Sequence, residues 1–259
     1  MNFGRIFVLT KNVFQEMVRD RILYIIGFYA LILVGAKFIL PELAASSEDK
    51  MLLDFGLAAM SVLGTMIAIF VGTGLINKEI EKRTILVLIA KPVSRSEFIA
   101  GKFFGLSAVL ALLTVTMTGL YLICLQVAQV NYSLPSILIA VVFLLLQLCL
   151  ITAVAITFGV FTSSLLASAL TFGVYLMGNA TQDLLKLSGI NGNSSIKYLT
   201  QALYLILPDL SRLDLKNSAV YGLQALPNQT TLLTNAGYGL FYSCMMLAIA
   251  ILIFSRREF

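Results

Sequence analysis

Glu79, Glu81, Lys82, Arg83 and Thr84 crowd into one short stretch, and Lys91, Arg95, Glu97 and Lys102 follow it closely. The whole segment, residues 76–105, reads INKEIEKRTILVLIAKPVSRSEFIAGKFFG and holds six of the eighteen basic residues. Charges of both signs at this density suit a complementary contact with a second surface. They do not suit catalysis. The chain has no histidine, which excludes a Ser-His-Asp triad, a Ser-His dyad and any His-based metal site. Cys124, Cys149 and Cys244 stand singly in apolar runs and read as packing residues. Without clustered soft ligands, copper is not supported either. Gly101-Lys102 is followed by Phe103, and the upstream glycine of a phosphate-binding loop is missing. No apolar run carries a central carboxylate or lysine of the kind an ion-coupled carrier would often need. An enzyme is not expected.

Within the charged segment, Lys78 to Ala90 predicts a helix with a charged first half and an apolar second half, Ile85 to Ala90. Pro92 stops it, because proline lacks a donor and disfavours helix at the preceding residue. Ser94-Arg95-Ser96-Glu97 then matches a capping box, with Ser94 as N-cap and Glu97 at N3. Gly101 and Gly105, four apart, permit close approach of another helix. The arrangement is an ordered helix–break–helix. A surplus of basic residues in cytoplasmic loops explains the sign of the charge. It does not explain the apolar half-helix.

The elements that hold this segment lie in a membrane. Mean hydropathy is +0.94 and only 12% of residues are charged, against roughly a quarter in soluble domains. From Phe103 to Gln182 there is no Asp, Glu, Lys or Arg, a run long enough for about three spans. Six spans are expected: 22–40, 55–76, 103–128, 137–161, 165–178 and 232–254. Polar stretches separate them: ELAASSEDK after Pro41, QVNYSLPS, and Thr162-Ser163-Ser164. The fifth span is short, and Gly173, Gly178 and Asn179 would let it break at its far end.

Residues 1–21 are no signal peptide. Phe3, Ile6, Phe7, Thr10, Val13, Phe14 and Met17 share a helical stripe opposite Arg5, Asn12, Gln15, Glu16 and Arg19. This describes an amphipathic helix lying in the headgroup plane or, alternatively, packed on protein. The short loops place Arg5, Lys11, Arg19, Arg21, Lys78, Lys82, Arg83, Lys91, Arg95, Lys102, Arg256 and Arg257 on the cytoplasmic side. Both termini are then cytoplasmic. The fold class is an all-α integral membrane protein with six transmembrane helices preceded by an amphipathic interfacial helix.

The pattern Glu79-x-Glu81-Lys82-Arg83-Thr84, then Ala90-Lys91-Pro92-Val93-Ser94-Arg95, then Gly101-Lys102 resembles the ABC-2 family of ABC transporter permeases. It is most similar to the branch associated with multicopper-enzyme maturation, although Arg83 stands where many relatives have glycine. The resemblance implies a six-span permease domain over 22–259, with 77–102 as the cytoplasmic coupling segment and 183–231 as an extracytoplasmic segment. It implies that 77–102 docks a separate ATPase subunit, through Glu79, Glu81, Lys82, Arg83, Thr84 and Arg95, with Thr162 and Ser163 as a second contact or a plain polar turn. The expected partners are ABC ATPase subunits, a second permease copy and membrane lipid, with an accessory protein as a further candidate and no nucleic acid. ATP and Mg would be bound by the ATPase, with no cofactor in this chain. The location implied is the bacterial inner membrane, and the direction implied is outward. A non-transporting scaffold is the alternative, with a secondary carrier behind it.

Residues 183–231 leave three roles open: a gate, a partner site or a cover over the bundle. Ile196 to Leu207 predicts a short apolar helix that Pro208 ends.

Overall fold

In lipid, a chain of long apolar runs must satisfy its backbone groups within each segment, and the helix does so. The computed structural model describes residues 3–20, 22–43, 48–81, 94–190 and 207–256. Among these all regular structure is helical. Helix α1 runs Phe3–Asp20, α2 Ile22–Leu43, α3 Glu48–Glu81, α4 Arg95–Val127, α5 Leu134–Phe161 and α6 Ser164–Ile190. Two 3-10 turns, Leu210–Arg212 and Leu223–Ala225, flank the short α7, Lys216–Val220, and α8 spans Gln229–Arg256.

Each predicted span coincides with a helix, but fewer qualify as spans. Among the described residues, four segments are long and apolar enough to cross a bilayer: Asp49–Asn77, Arg95–Val127, Leu134–Phe161 and Gln229–Arg256. A fifth is added if the bent pair α1 and α2 counts as one, and Ser164–Ala180 is apolar but shorter.

The helices also overrun their predicted ends. α3 begins at Glu48 rather than near Phe55. Lys78 to Glu81 continue it, and the rest of the helix expected over Lys78 to Ala90, with its stop at Pro92, lies outside the described residues. Charge marks where lipid stops, not where a helix does. At 34 residues, α3 is about 51 Å long, well beyond a hydrocarbon core of about 30 Å. The predicted break at Gly178 and Asn179 does not occur, since α6 continues to Ile190. Gly178 serves packing: a Cβ there would lie 2.6 Å from the Pro208 carbonyl oxygen. Asn179 is held inside the helix by donating to the Tyr175 carbonyl at 2.9 Å.

α5 is the central post, packed against α3, α4, α6 and α8. Its opening proline lies in the first turn, where a missing N–H costs little. Between helices in lipid, close contact rather than water exclusion supplies most of the attraction. Small residues accordingly line the α3–α5 seam. A Cβ on Gly64 would meet Leu148 at 2.7 Å, and one on Gly72 would meet Ala155 at 2.9 Å.

At one end, residues 207–228 fold back over the bundle. Leu210, Leu213 and Leu215 are buried. Asp209, also buried, pairs with Arg212 at 3.0 Å, and the Arg212 guanidinium lies 5.0 Å from the Tyr238 ring centre. Lys216 donates to Ser61 on α3 at 3.1 Å. This stretch covers the bundle. Most of the helix expected from Ile196 lies outside the described residues, which resume at 207.

α1 is helical over Phe3–Asp20, and the apolar stripe read from its sequence divides. Ile6 and Val13 are buried, whereas Phe7 is 69% exposed. The buried part lies on α4, so one face of the helix is covered by protein.

Candidate functional site

The end opposite the 207–228 cover collects the charged residues singled out above. α3 ends there and α4 begins there. The α5–α6 turn at 162–163 and the last turn of α8 reach the same end. Arg95, Thr162 and Ser163 are therefore brought to one face of the molecule along with Glu79. Lys82, Arg83 and Thr84 lie outside the described residues, and Glu81 closes α3.

The start of α4 forms as its sequence dictates. Ser94 has extended backbone, the Glu97 N–H donates to Ser94 Oγ at 3.2 Å, and the Ser94 N–H donates to Glu97 Oε2 at 3.0 Å. Two otherwise orphaned donors are satisfied, and Glu97 places negative charge at the positive end of the helix.

Two of the predicted contact residues turn out to hold the bundle together. Glu79 forms an ion pair with Lys102 Nζ, joining the end of α3 to the second turn of α4. The Lys102 side chain is 8% exposed and that of Glu79 24%. The Lys102 ammonium also lies 5.6 Å from the Phe98 ring centre, one helical turn back on α4. Phe98 in turn stacks on Phe254 of α8, with ring centres 5.7 Å apart. Arg95 reaches the same helix: Nη1 donates to the carbonyls of Phe254 at 2.8 Å and Ser255 at 2.5 Å. A cation at a helix C-terminus satisfies carbonyls that lack partners within the helix and opposes the helix dipole.

The result is a chain of contacts from α3 through α4 to α8. Replacing Arg95 by alanine is expected to fray the last turn of α8. Hydrogen exchange of its final amides should speed up about tenfold, the equivalent of one charge-assisted bond. Unchanged exchange would mean that the Phe98–Phe254 stack suffices.

α1 braces the same place from outside. A Cβ on Gly101 would sit 2.6 Å from Leu9 Cβ, and one on Gly105 would sit 2.6 Å from Val13 Cβ. Thr10 Oγ1 donates to the Gly101 carbonyl at 3.4 Å. On the other side of α3, Thr73 Oγ1 and Ser168 Oγ lie 2.9 Å apart, linking α3 to α6. Asn77 is buried and donates to the Thr73 carbonyl at 3.1 Å. Thr162 bonds only back to Phe158 of its own helix, at 2.9 Å, among the described contacts, and Ser163 is exposed.

Sequence reasoning did not find the partners Lys102, Phe98 and Phe254, or the Thr73–Ser168 link. The one available signal was a lysine on the same face as a phenylalanine in an otherwise apolar helix start. Pairing it with Glu79 needed the packing of α3 against α4.

The arrangement is a charged collar where α3 ends and α4 begins, on a bundle of apolar helices. A family model described as ABC-2 family transporter protein matches residues 8–259. No curated protein matches the chain. The match extends over nearly the whole length, from the second turn of α1 to the last residue. The chain belongs to the ABC-2 family of transporter proteins.

Proposed function

We propose that this chain is the permease subunit of an ABC transporter, driven by separate ATPase subunits that dock on the 77–102 segment. The observation that supports this most is the brace at the root of that segment. A push from a motor does work on the spans only if the loop's ends are stiffly fixed to them. Here the entering helix is tied to the leaving helix by Glu79–Lys102, and the leaving helix is tied to α8 by Arg95. The residues free to meet a motor would then be those beyond the brace, Glu81, Lys82, Arg83 and Thr84, with Thr162 and Ser163 as neighbours on the same face. Glu79 and Arg95 transmit rather than touch.

The permease is read as pairing with a second copy, with its charged end and both termini cytoplasmic in a bacterial inner membrane. The charged-segment motif favours the multicopper-maturation branch, and export is the direction taken. ATP and Mg belong to the motor subunit. The test is purification of the tagged chain from native membranes in mild detergent, with companions identified by mass spectrometry. A P-loop ATPase is expected, and charge reversal at Glu81 and Arg83, which leaves the Glu79–Lys102 brace intact, is expected to release it. Absence of any ATPase across several gentle detergents would overturn the reading in favour of a scaffold.

A further inference from the structure

We infer that the cavity between the far ends of α2, α3 and α4 is a binding site for a zwitterionic phospholipid headgroup carrying a primary ammonium. This cavity lies at the end of the bundle opposite the charged collar and measures about 200 Å³. That is room for a polar headgroup rather than for a single water. Lys37 from the end of α2 and Asp49 from the start of α3 both line it. Among the described residues neither forms an ion pair. A cation and an anion held on two different helices, facing one cavity without neutralising each other, match a ligand with both signs of charge. The phosphate oxygens would meet Lys37 Nζ and the ammonium would meet the Asp49 carboxylate.

The third wall is built by the way α4 ends. The Val130 N–H reaches back to the Leu125 carbonyl at 3.1 Å and the Gln129 N–H to that of Gln126 at 3.1 Å. This closing pattern needs a left-handed residue just past the helix, and Gln129 takes it with φ 55°. The turn carries the exposed Gln129 onto the cavity wall, with both a donor and an acceptor to offer. Leu40 and Leu52 supply apolar surface beneath.

The surroundings identify the source of the ligand. Phe38 and Ile39 on α2 and Ile123 and Val127 on α4 are all more than half exposed. In a membrane protein such side chains face acyl chains, so the charged cavity sits at the rim of a lipid-facing belt. A headgroup whose tails run along that belt satisfies both the charges and the apolar rim. A soluble zwitterion satisfies only the first.

The purified full chain would be placed in phosphatidylglycerol vesicles containing a trace of phosphatidylethanolamine or phosphatidylglycerol with a photoactivatable group in the acyl chain. Cross-linked peptides would then be mapped. The ethanolamine probe is expected to label residues 34–40 and 123–130 about tenfold more than the glycerol probe, the ratio for one charge-assisted contact. Lys37→Ala should lower labelling by both probes. Asp49→Asn should erase the preference while glycerol-lipid labelling persists. Equal labelling of the wild-type chain, or a preference that survives Asp49→Asn, would overturn the proposal. Unchanged labelling in Lys37→Ala would do the same. Full competition by free phosphoethanolamine at the concentration of the probe would overturn the lipid as the source.

Discussion

Replacing Lys102 by methionine is expected to cut the permease-dependent stimulation of ATP hydrolysis at least tenfold, while the chain still inserts in the membrane. Lys102 is buried at the start of α4 and answers the Glu79 carboxylate at the end of α3. Removing one partner of a buried pair leaves the other charge desolvated and uncompensated, at a cost of roughly 3–5 kcal/mol in full burial. Glu79 keeps a quarter of its side chain in solvent, which places the local cost toward the lower end. Glu79 then turns outward to water, the α3 and α4 ends separate, and displacement of the loop is no longer passed to α4 and α8. The exchanged pair, Glu79→Lys with Lys102→Glu, restores attraction across the same gap and should recover a measurable part of the stimulation. Stimulation within twofold of wild type in Lys102→Met would show that the pair plays no part in transmission.

The second large effect is expected from Gly105→Leu. The α1 backbone lies so close to α4 that even a Cβ at this position would approach Val13 Cβ to 2.6 Å and the Thr10 carbonyl oxygen to 3.2 Å. The contact is between backbone and the root of a side chain, so no rotamer change can relieve it. Overpacking of this kind typically costs about 1–3 kcal/mol when neighbours can shift, and here an entire helix must move off. Limited trypsin digestion in vesicles reads the outcome. Cleavage at Lys11 or Arg19 should appear in the variant and not in the wild-type chain, because an undocked helix of 18 residues is only marginally stable in water. Persistent protection of the variant would mean that the bilayer, rather than α4, holds α1.

How much of this was legible depended on the range of the interaction. The capping box at Ser94 and Glu97 is written in four consecutive residues, and it forms as read. The turn at 162–163 was equally local. Gly101 and Gly105 announced a close approach, but spacing alone does not say which helix approaches, and the partner proved to be α1. Hydropathy located each apolar run, yet it misjudged helix ends at Glu48 and Glu81. It reports the solvent around a segment, and a helix can leave lipid without unwinding where water satisfies its exposed groups. Gly178 was read as a weak point of the backbone. Its actual use, contact with the Pro208 carbonyl, depends on a segment 30 residues later. Glu79–Lys102 was hidden for the same reason: the two residues meet only when α3 and α4 are packed side by side.

The grip of Arg95 on the last carbonyls of α8 joins residues 159 apart in sequence. Contacts of such separation are closed late, because every intervening segment must first be placed. During synthesis, α3 and α4 can pair as soon as both are inserted, but Arg95 and Phe98 must wait for Phe254. The charged end is thus not complete until α8 is in place, although half of it is made early. A partner that grips this end in its finished form would pass over bundles that lack α8, so assembly with such a partner would double as an inspection of the finished bundle.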